Sequence, residues 1–322
     1  MLNVAIIGSG DTLIEHANTW SNIHSATITA IVDIDNGQTQ HELKHLKSIY
    51  VTRLDDVSTE KVDVVDVCVP AANRAEWVEQ AAAKKLPVMC DMPLGQTLEE
   101  TLSVMSICKE KGVHCYPGNA FHFAPAFVNA KAQVNNGAIG HAGVVRLSAQ
   151  TIHPGGVADI FTELGVDLFV WVMETFGNVV RVTAKHTQKT SKKGVPVEYA
   201  VNTLRMDGGA IVHVELSWAG KGKPRLSFEL TGDKGMISYD SRDNDPILVD
   251  EFDGTFDETE NDMVLTKSVL ERRMEYIVTS IKTNAQSDIT SETVLSDMQV
   301  AGAASESAKT GEPVSIKRGE VR

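Results

Sequence analysis

The chain has 322 residues, of which 42% are hydrophobic and 23% are charged. This composition excludes a disordered or low-complexity chain, and the length predicts about two domains. The formal net charge of −13 disfavours nucleic acid as a partner, because so acidic a surface repels phosphate backbones. No uninterrupted apolar run reaches the roughly 18 residues that a membrane helix needs, so we expect no membrane partner.

The first residues and the cysteines predict a cytoplasmic location. Residues 2–7 (LNVAII) are typical of a strand and carry none of the basic or cleavage features of a signal peptide. The four cysteines form no CxxC pair, and three of them lie in apolar strand-like or helix-like stretches. We therefore expect buried, reduced thiols, without a disulfide framework or a metal site.

The first 120 residues alternate short apolar strands with helical patterns. Strands are predicted at 4–7, 28–32, 62–69, 88–90 and 113–116, and a capping-box pattern, Thr97 with Glu100, begins the helix before the last of them. Strand–helix–strand alternation with nearly continuous apolar strands indicates a parallel sheet that is covered on both faces. We therefore expect a doubly wound α/β domain over residues 1–120, with its ligand at the carboxyl ends of the strands.

The pattern changes after about residue 120. Helical patterns at 125–135 and 156–176 precede longer alternating strands up to about residue 249, an acidic loop at 250–262 and two closing helices. In the strand at 212–218 one face is apolar, and the other carries Ile211, His213 and Glu215. Residues 121–322 are therefore predicted to form an α+β domain on a large open, mostly antiparallel sheet.

A glycine turn joins the first predicted strand to the first helix, at Gly8-Ser9-Gly10 followed by Thr12 and Leu13. The first glycine permits a tight turn and the second lets the backbone approach a pyrophosphate, which the helix N-terminus attracts. The third position of this motif is usually Gly or Ala and is Leu13 here, so we expect the helix slightly farther from the strand. Asp33 ends the second strand, where a carboxylate binds ribose hydroxyls and repels a 2′-phosphate. The sequence therefore predicts dinucleotide binding, with NAD preferred over NADP.

These motifs resemble, in their order, the Gfo/Idh/MocA family of NAD(P)-dependent oxidoreductases. The resemblance continues through residues 66–70 (DVCVP), 88–94 (VMCDMPL), 137–140 (GAIG) and 164–166 (LGV), and covers nearly the full length. It implies a Rossmann domain, an α+β domain whose open sheet pairs in a homodimer or homotetramer, and redox chemistry on a hydroxyl or carbonyl of a sugar, cyclitol or related small molecule. It also implies a cofactor site formed by Gly8, Ser9, Gly10, Thr12, Leu13, Asp33, Ile34, Pro70, Asn73, Asp91 and Met92.

The sequence departs from the family pattern where the catalytic residues are expected. The family's Glu-Lys-Pro is Asp91-Met92-Pro93 here, and its His and later Asp align with Asp167 and Val170. Methionine supplies neither a base nor a charge that stabilises a developing oxyanion. The remaining catalytic candidates are Asp167, as a base or an orienting group, and two histidines, since imidazole is the usual base near neutral pH: His122 and His153.

The sequence leaves three functions open and favours the first of them. An oxidoreductase with an altered active site predicts net formation or consumption of NADH. A non-catalytic sensor or partner subunit predicts NAD binding without turnover. An enzyme that uses tightly bound NAD for transient oxidation predicts a product without a net change in NADH.

Overall fold

The computed structural model describes residues 1–35, 37–154, 159–190, 194, 196–220, 224–243, 248–251, 256–257, 267–285 and 291–316. Its elements, in chain order, are β1 (Leu2–Gly8), α1 (Gly10–Asn22), β2 (Ala26–Asp33), α2 (Gln40–Leu43), β3 (Ile49–Val51), β4 (Val64–Cys68), α3 (Ala71–Ala83), β5 (Val88–Asp91), α4 (Leu98–Lys111), β6 (Cys115–Gly118), α5 (Pro125–Asn135), β7 (Ala142–Gln150), α6 (Ile160–Glu163), α7 (Val166–Phe176), β8 (Val179–Thr190), β9 (Pro196–Met206), β10 (Ile211–Ser217), β11 (Arg225–Gly232), β12 (Gly235–Asp240), β13 (Leu248–Glu251), β14 (Phe256–Asp257), α8 (Val269–Thr283), α9 (Ser291–Thr310) and β15 (Val314–Ser315).

The chain divides into two compact units that differ in one segment from the division expected from sequence. The first unit is Met1–Phe123 with Leu265–Leu295, and the second is Ala124–Val264 with Ser296–Arg322. Residues 265–295 were expected in the second domain but belong to the first unit. The physical reason is that α8 is amphipathic and buries Met274, Ile277 and Val278 in the core that α1 and β1 also form.

A six-stranded parallel sheet forms the centre of the first unit. The strand order is β3-β2-β1-β4-β5-β6, so the order reverses between β1 and β4. Every residue of β4 is buried, as expected for a strand that is covered on both faces. This is the predicted doubly wound fold, and its ligand crevice lies at the carboxyl ends of the strands beside the reversal.

Local sequence signals set several element ends in the first unit. The predicted capping box is present at the start of α4, where Thr97 Oγ1 accepts from the Glu100 backbone and the Glu100 carboxylate accepts from the Thr97 backbone. The helix ends at Gly112, whose φ of +64° is a conformation that favours glycine. The fifth predicted strand, at 113–116, is observed two residues later as β6.

The second unit is built on a nine-stranded sheet of order β14-β13-β12-β11-β7-β10-β9-β8-β15. The pair β7–β10 is parallel and its other described pairs are antiparallel, as predicted. The alternation predicted for β10 is observed: Val212 and Val214 are fully buried, whereas Ile211 is 42% exposed. One face of this sheet is thus apolar and packed, and the other is open.

One sequence expectation in the second unit differs from the structure. In place of the single helix predicted at 156–176, the described part of this range forms two helices, α6 and α7. Gly165 lies between them in the chain, at a point where a Cβ would lie 2.4 Å from the Phe161 carbonyl oxygen. Residues 155–158 and most of the acidic loop at 250–262 lie outside the described residues. Among the helices that the structure describes, none is long and apolar enough to cross a membrane.

Candidate active site

The glycine turn leaves the start of α1 open. Ser9 precedes the helix in an extended conformation, and its side chain makes no capping hydrogen bond with the first helical amides. Gly10 has a φ of +54°, and a Cβ built on it would meet no atom within 4 Å. Unclaimed amides at a helix N-terminus with open space before them fit a dinucleotide pyrophosphate. Asp11 and Thr12 are exposed beside this space.

Gly8 and Leu13 have a packing role beneath the turn. A Cβ at Gly8 would lie 2.5 Å from Cys68 Sγ and 3.2 Å from Leu13 Cβ, so the absence of a side chain lets α1 approach the sheet. Leu13 is completely buried, and it can therefore offer a ligand only its backbone. The helix was expected farther from the strand because of Leu13; the structure accommodates this side chain in the space above Gly8.

Asp33 organises the loop that follows β2. Its Oδ1 accepts from the Asp35 backbone at 3.0 Å, and its Oδ2 accepts from the Thr39 backbone at 3.0 Å and from Thr39 Oγ1 at 2.6 Å. The Ile34 amide donates to the Gly8 carbonyl at 3.0 Å, which joins this loop to the glycine turn. A carboxylate has about four acceptor sites, of which these contacts occupy three, and Asp33 is only 1% exposed. Sequence analysis did not identify Thr39.

The ends of β4 and β5 are joined by Arg74, another residue that sequence analysis missed. Pro70 caps α3 and accepts from the Asn73 amide at 2.9 Å. Arg74, one residue further along α3, is only 8% exposed and donates from Nε to the Val69 carbonyl at 2.9 Å and from Nη1 to the Pro93 carbonyl. The candidate positions Pro70, Asn73 and Met92 therefore lie on backbone that a buried cation holds in place.

Asp91 forms an ion pair with Arg273 of α8. The guanidinium contacts Asp91 Oδ1 through Nη1 and donates from Nη2 to the Cys90 carbonyl at 2.8 Å. Burial alone would raise the pKa of Asp91, but Arg273, His16 and Arg74 outweigh it and lower that pKa to about 2. Asp91 is thus a permanent carboxylate and does not exchange protons near neutral pH.

His16 connects this carboxylate to a second one, in the middle of β4. Its Nδ1 lies 2.8 Å from Asp66 Oδ2, and its Nε2 lies 3.7 Å from Asp91 Oδ2. Trp20 Nε1 also donates to Asp66 Oδ2, at 2.8 Å. Burial lowers the pKa of His16, but its bond to Asp66 and the charge of Asp91 more than compensate, so the pKa is raised. The folded protein therefore favours the charged imidazole more than the unfolded chain does.

The three catalytic candidates lie in different surroundings. His122 ends a single turn of 3-10 helix in the first unit. Its ring lies edge-on to that of Phe123, with 6.4 Å between the two ring centroids. In the second unit, His153 Nε2 lies 3.4 Å from Oε1 of Glu198, and His186 Nε2 lies 3.0 Å from Oε2 of the same carboxylate. The structure thus gives His153 an acidic partner, which sequence analysis did not identify.

The Glu198 carboxylate is enclosed by the groups it holds. Glu198 is only 4% exposed, and Gln188 Nε2 donates to it at 2.9 Å. The ring of His153 also packs edge-on against Trp218, at 4.6 Å between centroids. Glu198 lies on the same buried face of β9 as Ala200 and Asn202, and a charge on the packed face of a strand is the sequence signal that would have found it.

Asp167 lies in the first turn of α7, beside other acids. The pKa of Asp297 on α9 is raised well above its ordinary value by burial and by the charges of Glu174 and Asp167. Val170 is only 3% exposed within the apolar face of α7. Within the described ranges, no group of His, Cys, Asp or Glu side chains is arranged to hold a metal ion.

A doubly wound sheet with an open glycine turn, in a chain with a second sheet domain, defines a two-domain oxidoreductase with an NAD-binding Rossmann fold. The model of the oxidoreductase family with NAD-binding Rossmann fold matches residues 2–119, and that of the GFO/IDH/MocA C-terminal domain matches residues 127–238. The chain belongs to the Gfo/Idh/MocA family.

Relatives and solved structures agree with this assignment over nearly the full chain. The uncharacterized oxidoreductase YrbE of Bacillus subtilis is 25% identical over 98% of this chain and 96% of its own length. Myo-inositol 2-dehydrogenase of Thermotoga maritima is 26% identical over 78% of this chain and 79% of its own. An oxidoreductase from Agrobacterium radiobacter, solved with NAD⁺, L-tartaric acid and magnesium, has a TM-score of 0.81 at 20% identity and covers 98% of both chains.

Proposed function

We propose that this protein is an NAD-dependent dehydrogenase that acts on a hydroxyl or carbonyl of a sugar, cyclitol or related small molecule. The observation that carries the proposal is the open start of α1 behind Gly10, in a chain whose Thermotoga relative is named as a dehydrogenase of myo-inositol. When bound, the nicotinamide accepts or donates the hydride. The buried, free thiols of Cys68, Cys90 and Cys108 support a reducing, cytoplasmic location.

The cofactor residues are proposed as the sequence predicts them, with roles refined by the geometry. The amides that follow Ser9 and Gly10 bind the pyrophosphate, and Asp33 binds the adenosine ribose. Asp33 and Asp11 repel a 2′-phosphate, which supports a preference for NAD over NADP. Asp91 and Met92 line the end of β5 on the other side of the reversal in strand order.

The base for the hydroxyl proton is proposed to be His153. A carboxylate 3.4 Å from Nε2 favours the tautomer with the proton on Nε2 and orients the imidazole ring. Glu198 also stabilises the imidazolium that forms, as the acid of a catalytic triad does. Asp167 and His122 remain the second and third candidates.

A homodimer or homotetramer is proposed to form through the open face of the second sheet. Tyr199 and Val201 are each 47% exposed on β9, and Ile211 is 42% exposed on the neighbouring strand β10. Exposed apolar side chains on the open face of a sheet support a self-complementary contact with a second copy. Light scattering at micromolar concentration that finds only monomer would contradict this part of the proposal.

The experiment that tests the function is a panel of sugars, cyclitols and their keto forms, assayed with NAD⁺ or NADH. We expect net formation or consumption of NADH, at 340 nm, with at least one polyol or keto-sugar. Binding of NADH without turnover of any panel member would favour the sensor or partner subunit, for which the loss of the family lysine at Met92 is the supporting observation. A product without a net change in NADH would favour transient oxidation by a tightly bound cofactor.

A further inference from the structure

Arg273 lies between the ends of two strands of the first sheet. Its guanidinium pairs with Asp91 at the end of β5 and donates to the Cys90 carbonyl, and only 5% of the residue is exposed. The end of β6 makes room for it, because a Cβ on Gly118 would lie 1.8 Å from Arg273 Cζ. No side chain fits at position 118 unless Arg273 moves.

The ion pair continues into a row of alternating charges. His16 on α1 faces Asp91 at 3.7 Å and Asp66 at 2.8 Å. Arg273, Asp91, His16 and Asp66 thus link α8, β5, α1 and β4, with two positive and two negative charges when His16 is protonated. The side chain of Asp91 is 29% exposed, whereas the other three are at most 6% exposed. The three buried side chains therefore hold Asp91, the one residue of the four that a ligand can reach.

The strand order assigns this group to one half of the dinucleotide site. In a doubly wound fold the pyrophosphate lies at the turn after β1, and the adenosine ribose lies beside the end of β2. The sheet order places β4, β5 and β6 on the opposite side of β1 from β2. The end of β5, with Asp91 and Met92, therefore faces the nicotinamide half.

We propose that Arg273 is a positioning residue for the nicotinamide half of the cofactor site. Arg273 gives Asp91 a single orientation and fixes the backbone at Cys90, two residues before Met92. Met92 in turn donates its amide to the Gly118 carbonyl at 3.0 Å, so one guanidinium orders the ends of two adjacent strands. The proposal rests on the proposed cofactor binding but not on turnover.

The test compares NADH with ADP, which lacks both the nicotinamide and its ribose, by titration of the full chain. Arg273→Met is expected to weaken NADH binding at least about tenfold and ADP binding less than about threefold. Arg273→Lys keeps the charge and is expected to recover part of the NADH affinity. Arg272→Met, one residue earlier on α8, is the matched control and is expected to leave both affinities unchanged.

Four results would overturn the proposal. Equal weakening of both ligands in Arg273→Met would show a purely structural role, and no weakening of NADH would show no role. The double variant Asp91→Asn/Arg273→Met removes both charges, so it leaves no uncompensated charge at the end of β5 if the single variant fails to fold. An NADH affinity in that double variant equal to that of the unmodified protein would also refute the positioning role.

The behaviour of the unmodified protein separates this proposal from the proposed function. If it binds neither ligand, both the proposed function and the positioning role fail. If it binds both ligands without turnover, only the dehydrogenase activity is refuted.

Discussion

His16 Nδ1 and Asp66 Oδ2 are 2.8 Å apart, and both side chains are almost completely buried in the first unit. A charged histidine is rarely buried, and two carboxylates here offset the cost of burying one. Because the pKa of His16 is raised, the folded state holds the proton more tightly than the unfolded state does, which links the stability of the first unit to pH.

His16→Gln is expected to lower the free energy of unfolding by about 1.5–3 kcal/mol at pH 6, the range for hydrogen bonds to charged groups. Because the pKa of His16 is raised in the folded protein, its contribution is complete below the ordinary value of 6.5 and is lost as pH rises through the raised pKa. The gap between the two proteins, measured by urea unfolding, should thus narrow from pH 6 to pH 9. A gap that does not change with pH would show that the imidazole is neutral.

Asp297→Asn is expected to stabilise the protein, with the opposite dependence on pH. Burial and the charges of Glu174 and Asp167 raise the pKa of Asp297, so the folded state keeps a proton that the unfolded state releases above pH 3.8. The contribution of Asp297 to the free energy of unfolding therefore falls as pH rises above about 4. Asparagine does not titrate and so removes this loss. The gain in unfolding free energy should therefore grow from pH 4 towards neutrality. Glu306→Gln, on the exposed face of the same helix, is the control and should show no such trend.

Glu198→Gln tests the orientation of His153. We expect kcat to fall by roughly 10²–10⁴-fold, the usual contribution of a positioned base, while KM and NADH affinity change little. His153→Ala should lose activity to a similar extent, and added imidazole should restore part of it. His141→Ala is the control, since this histidine is 98% exposed in the same unit. Full activity in His153→Ala would transfer the role to Asp167 or His122.

Asp33 is expected to make NADH bind at least about tenfold more tightly than NADPH, which corresponds to roughly 1.4 kcal/mol. Asp33→Asn removes the charge and should reduce this ratio, as measured by calorimetry. Thr39→Val removes the hydroxyl that donates to Asp33 at 2.6 Å, and should weaken NADH without improving NADPH. Equal affinities in the unmodified protein would mean that the adenosine ribose is bound elsewhere.

Val201→Glu tests the contact between copies. Val201 is 47% exposed on the open sheet face, so a carboxylate there costs little in an isolated chain. In a contact formed by two copies of the same face, the new charges are buried or repel each other, and the assembly should dissociate. Light scattering of the variant should report the mass of one chain, 34.9 kDa. An unchanged mass would place the contact on another surface.

Local signals predicted most of the fold and the position of the glycine turn. The glycine turn, Asp33 and the Thr97 capping box are each defined by residues a few positions apart, and each is found where the sequence predicted it. The strand alternation of β10 was also readable, since a period of two depends on neighbours alone.

The residues that sequence analysis missed depend on contacts between distant segments. Arg273 is 182 residues from Asp91, and no local pattern pairs them. The sequence nevertheless indicates that a buried polar group exists here. Asp66 lies in a fully buried strand, and His16 lies on the apolar stripe of α1 with Leu13 and Trp20. A polar group at a core position predicts a buried partner, but not which one.

The return of α8 to the first unit means that this unit is not finished in the order in which the chain is synthesised. The ribosome synthesises residues 1–123 first and then β7 to β14 of the second sheet. It synthesises Val269–Thr283 only after them. At typical rates of about 5–20 residues per second, α8 follows on the order of ten seconds later. Until then the nascent first unit lacks the apolar side chains of Met274 and Ile277 that complete its core, and Asp91 lacks its cation. The growing chain therefore passes through a stage in which a chaperone has an exposed apolar surface to bind.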